Sequence, residues 1–116
     1  MESKSRFSGR LDVSDDAFVL VAKEILIFPN DHIGFIFIGE DGAGPFRCEG
    51  VAIWAESARR YVASQVKMAS ARSGRADIFF TRIGRIDDQA WEIEGVWQED
   101  GLVGSPWHFS GEVTAP

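Results

Sequence analysis

Four stretches of this chain alternate apolar and polar residues with a period of two, and each carries a glycine inside its apolar set. They are Phe7, Gly9, Leu11, Val13; Phe46, Cys48, Gly50, Ala52, Trp54; Trp91, Ile93, Gly95, Trp97; and Trp107, Phe109, Gly111, Val113. A period of two belongs to strands, where successive side chains leave opposite faces of a sheet. Glycine in mid-strand normally costs stability, so its recurrence needs a cause. A sheet that curls on itself supplies one, because a missing side chain relieves crowding on the concave side. The pattern therefore predicts strongly curved antiparallel strands with aromatic residues inside.

Turn-forming clusters separate these stretches at short intervals: Ser14-Asp15-Asp16, Pro29-Asn30-Asp31, Glu40 to Pro45, Glu56-Ser57, Ser73-Gly74, Asp87-Asp88-Gln89 and Glu99 to Pro106. They predict eight strands at roughly 5–14, 16–28, 32–39, 45–54, 60–70, 75–86, 90–99 and 106–114. Eight sequential antiparallel strands joined by short turns close most economically into an all-β up-and-down barrel, which leaves no open edge. The ambiguous segment is 56–72. Ala58, Tyr61, Val62, Gln65, Val66 and Ala69 fall at helical spacing, and Gly74 could stop a helix. The alternative is thus an α+β sheet with one helix at about 56–72. As a strand, the same segment sets Val62, Ser64, Val66 and Met68 on one face. The eight-stranded pattern resembles the small meander barrels of the avidin and lipocalin (calycin) kind. The resemblance is one of architecture, and no functional residue is carried over from it.

Two segments do not alternate. Phe18–Phe28 and Ile33–Ile38 are apolar on both faces. A barrel strand has one wet face, so their outer side should be covered. With 116 residues allowing a single domain, 1–116, a second subunit is the natural cover, and a homo-oligomer through these segments is expected.

Charge excludes some functions. The net charge is −6, which argues against nucleic-acid binding. No stretch is long and apolar enough to cross a membrane as a helix, and no apolar signal core follows the N-terminus. One cysteine, Cys48, excludes an intrachain disulfide. These features point to a cytoplasmic protein. The charge is unevenly placed. Ser57–Ile86 holds seven bases and one acid, either pairing with neighbouring strands or forming a site for an anion or an acidic partner. Arg59, Arg60 and Arg85 fall at one end of that hairpin, and Arg72 and Arg75 at its turn.

Catalytic signatures are missing. His32 and His108 are the only histidines. His108 and Ser110 share a strand face, but side by side, with no nucleophile turn. Two histidines and one cysteine cannot supply a four-ligand zinc site, and Asp15-Asp16 and Asp87-Asp88 read as turn formers. Gly39–Gly44 contains two acids and lacks the Lys-Ser/Thr ending of a phosphate loop. No metal or cofactor is implied.

Two features read as a site. In the strand at 75–86, the set Ile78, Phe80, Arg82, Gly84, Ile86 would put a guanidinium among apolar residues, where it needs an anion. Trp91, Trp97 and Trp107 line the apolar faces of two neighbouring strands. The expected activity is non-enzymatic binding of a small, partly apolar ligand, with an anionic group as an option, by Phe80, Arg82, Trp91, Trp97 and Trp107. Two other classes stay open. One is a protein-partner module of the inhibitor or immunity type. The other is a small barrel isomerase or cyclase.

Overall fold

In the computed structural model, which describes residues 6–70, 74–99 and 106–116, nine strands follow one another. They are β1 (Phe7–Val13), β2 (Val19–Phe28), β3 (His32–Asp41), β4 (Gly44–Ala55), β5 (Arg60–Lys67), β6 (Ala69–Ser70), β7 (Arg75–Asp87), β8 (Ala90–Glu99) and β9 (Trp107–Thr114). Neighbours in sequence pair antiparallel, with β5 and β6 both lying against β4. The sheet closes where Ser8, Asp12 and Val13 of β1 meet Thr114, Ser110 and Phe109 of β9. Since β5 and β6 form one interrupted stave, the barrel has eight staves, as the turn spacing predicts. Among the described residues, no helix is long and apolar enough to cross a membrane.

All four glycine-punctuated stripes face inward. Phe7, Leu11, Val13, Cys48, Ala52, Ile93, Trp97, Phe109 and Val113 are buried. The glycines are there for space. A Cβ on Gly95 would stand 2.3 Å from Phe109 Cζ, and one on Gly50 would stand 3.2 Å from Phe35 Cζ. These two leave room for a ring crossing the interior, while Gly9 and Gly111 let neighbouring backbone approach, at Glu112 O and Arg10 O. Phe35, Phe37, Phe80 and Phe109 meet with centroids 5.0 to 6.1 Å apart. Side chains alone can fill a barrel of this size, and in this section they do.

Segment 60–70 is strand and not helix. Its alanine-rich start is a tight turn in which the Arg59 N–H donates to Ala55 O at 2.8 Å. The face expected for that strand is also corrected. Tyr61, Ala63 and Val66 are buried, because the pairing with β7 shifts between Ala63 and Val66, where Gln65 stands at φ 56°. Val62 and Ser64 therefore point out, while Val66 turns in. The expected strand at 16–28 starts only at Val19. Ser14–Asp16 forms a 3-10 turn instead, with Asp15 and Asp16 at φ 59° and 48°. The turns expected at Ser73 and in 100–105, and the position of Arg72, lie outside the described residues.

Candidate functional site

The barrel has two ends. The turn around Phe18, the β3–β4 hairpin and the far ends of β7 and β8 meet at one of them. Four rings gather there. Phe18 lies 5.3 Å from Trp97, 5.5 Å from Trp107 and 5.8 Å from Phe46. Phe46 lies 5.9 Å from Trp97, and Phe37 continues the cluster inward at 6.2 Å. Trp97 and Trp107 come together because they are direct partners across β8 and β9. Phe46 fits because Gly39, its partner on β3, carries no side chain; a Cβ there would stand 2.5 Å from Phe46 Cζ.

This cluster contains an anomaly. Trp97 is 1% exposed, and its Nε1–H is the one buried side-chain polar atom without a hydrogen-bond partner among the described residues. Buried donors are nearly always paired, and an orphan costs about 1–3 kcal/mol. Another indole, that of Trp54, follows the rule: its Nε1 donates to Glu56 Oε1 at 3.1 Å.

The structure separates the five residues expected to share a site. Trp97 and Trp107 belong to the aromatic end. Phe80 is fully buried in the packed middle. Trp91 sits toward the opposite end, edge-on to Phe7 at 6.5 Å. Arg82 is outside the barrel, not in its lumen. Its side chain is 71% exposed, with Nη1 3.8 Å from Glu94 Oε2. The cause is a bulge: Phe80 pairs with Gly95 and Arg82 with Glu94, leaving Thr81 as an extra residue. From Thr81 onward the faces of β7 are exchanged, so Arg82 turns out and Ile83 turns in. The adjacent polar pair Thr81-Arg82, set between Phe80 and Ile83, is the sequence signal for that exchange. Phe18 and Phe46 were not expected at the site. Phe46 begins a recognised stripe, but Phe18 is hidden by the turn before it.

The remaining candidates make no chemistry. A groove of 480 Å³, mixed polar and apolar, is lined among others by Asp12, Val13, Thr81, Glu94, His108 and Phe109. Its firmest link is structural, with the His108 backbone N–H donating to Ser14 Oγ at 3.0 Å. Cys48 is buried, and desolvation, reinforced by the neighbouring Glu49, pushes its thiol from 9.0 up to about 12. It stays protonated and unreactive at neutral pH. Among the described residues, no group of three or more His, Cys, Asp or Glu could hold a metal ion. No Asp, Glu, Lys, Arg or His among them is buried.

Comparison with protein-family models, with curated proteins and with solved structures gives no match to this chain.

Proposed function

We propose that this protein binds a small, mostly apolar molecule at the aromatic end of the barrel, with a neutral oxygen acceptor of the ligand meeting Trp97 Nε1. The single observation behind this reading is the buried, unpaired indole N–H within a cluster of four rings. An acceptor there would satisfy the donor, and the rings would supply apolar contact. Entry would require Phe18 to swing aside. Phe18 follows the turn in which Asp15 and Asp16 hold left-handed backbone angles, a conformation that costs side-chain-bearing residues about 1 kcal/mol each. Burying a carboxylate would need a cation beside it, and Arg82 is outside. A ketone, ester or ether is therefore favoured over an anion.

The test compares acetophenone with ethylbenzene, which has nearly the same shape and no acceptor, and with benzoate. Acetophenone should shift the Trp97 indole N–H resonance and bind about tenfold more tightly than ethylbenzene. Trp97→Phe should erase that preference. An indole resonance unmoved by acetophenone, or equal affinity for the two neutral probes, would overturn the reading.

A protein-docking role is the second reading, favoured by exposed aliphatic side chains on one outer wall. The isomerase or cyclase reading would rest on interior acids or bases; the buried titratable side chains among the described residues are the Cys48 thiol and the Tyr61 phenol.

A further inference from the structure

The outer faces of β2 to β5 carry an apolar surface that the barrel itself does not use. Val19, Ile38, Val51 and Ile53 are exposed. Direct cross-strand partners join them to half-buried neighbours: Val21 faces Ile38, Gly34 faces both Leu26 and Val51, and Ile53 faces Val62. The row continues from Val62 to Phe79 and from Phe79 to Val96. Four strands at about 4.8 Å and four two-residue steps at about 6.8 Å mark out roughly 500 Å² of wall. A standard protein interface takes about 800 Å² of accessible surface from each partner, so the wall is of the right order.

Charge narrows the choice of partner. The strands forming this wall hold four bases, Lys23, Arg47, Arg60 and Lys67, against four acids, Glu24, Glu40, Asp41 and Glu49. Arg47 and Glu49 already pair at 3.2 Å, and Glu24 pairs with Arg6 at 3.2 Å. The wall is thus neutral, while the chain as a whole is −6. Two copies repel each other on other approaches and can meet here. Closure of the barrel removes free strand edges, so association must be face to face.

We infer that this wall is the interface of a two-fold symmetric homodimer. The inference is independent of the ligand site and rests on the outer surface alone. Gly34 leaves a dent between Leu26 and Val51, and Ile53, 57% exposed, stands diagonally beside it. A two-fold axis passing midway between Gly34 and Ile53 seats each Ile53 in the other copy's dent. That is the self-complementary arrangement a closed dimer requires. The dent is not demanded by the monomer, since a Cβ on Gly34 would meet nothing nearer than Leu26 Cβ at 3.7 Å.

Sedimentation velocity of the full chain, from micromolar to submillimolar concentration, tests this. The wild type should sediment at twice the chain mass. Ile53→Arg and Gly34→Trp should each sediment as single chains, with circular dichroism unchanged, and Glu112→Arg on the far wall should remain dimeric. Should Gly34→Trp fail to fold, Ile53→Arg carries the test, because its side chain is already in water. A wild type of single-chain mass throughout would overturn the inference and leave the wall to a foreign partner. So would a dimer that survives Ile53→Arg, or an assembly larger than two.

Discussion

At the residue scale, the barrel depends on where side chains are missing. Gly95 shows it most directly: a methyl group there would stand 2.3 Å from Phe109 Cζ and 2.2 Å from Phe79 O, which is backbone and cannot rotate away. Gly84, on the neighbouring strand, has nothing within 4 Å of the same construction. Gly95→Ala should therefore destabilise the protein by at least about 1–3 kcal/mol, the range for overpacked cores. Gly84→Ala should be neutral or stabilising by up to about 1 kcal/mol, because it removes only the excess freedom of the unfolded glycine. Urea denaturation of the two variants checks both signs. Trp97 is the opposite case, a group present without its partner, and no local pattern announces that. The stripe containing Trp97 can be read from alternation, since one period places all its members on one face. The fate of its N–H depends on what Phe18, Phe46 and Phe37 bring from three other strands or turns.

At the element scale, the irregular positions are the informative ones. Both stripes that run unbroken, in β8 and β9, were legible from their spacing. The faces of β5 and β7 were not, because one inserted residue at Gln65 and one at Thr81 reverse the parity of everything that follows. That reversal is why Arg82 reads as interior and stands exposed. The helical spacing of 56–72 has a similarly local explanation. The chain makes one helix-like turn from Ala55 to Arg59, then extends as strand from Arg60. Arg59 ends that turn at φ 52°, a conformation glycine adopts without strain. Its side chain only touches Glu56, at 4.0 Å and fully in the solvent layer, a contact of little worth. Arg59→Gly should accordingly stabilise the fold by about 0.5–1 kcal/mol, read as a higher midpoint of urea unfolding. A lowered midpoint would mean that the left-handed angle is not what the turn requires.

At the scale of the whole molecule, the inner surface is committed and the outer one divided. Inside, aromatic rings fill the central section, and among the described residues the unmet buried side-chain donor is at the aromatic end. Outside, the wall of β2 to β5 shows Val19, Ile38, Val51 and Ile53 with balanced charge, on a chain of net charge −6. The two-sided apolar character of Ile33–Ile38 was legible as an excess, and its outer half is now Ile36 and Ile38 on the wall. Phe18, counted with the same excess, instead points inward as the cap of the ring cluster. The closing seam between β1 and β9 makes the fold indivisible. Deleting 107–116 should convert a chain with no free edge into one with two, and should remove the buried Phe109 and Val113. The expected product is insoluble or scatters light at concentrations where the intact chain stays clear.

That seam also sets an order of events in the cell. β1 precedes the other strands in the chain, and of its two partners β2 follows at once whereas β9 comes only after all the other strands of the barrel. Until then the nascent sheet is a sticky, half-wound ribbon, so holding chaperones have more to offer this protein during its synthesis than at any later time.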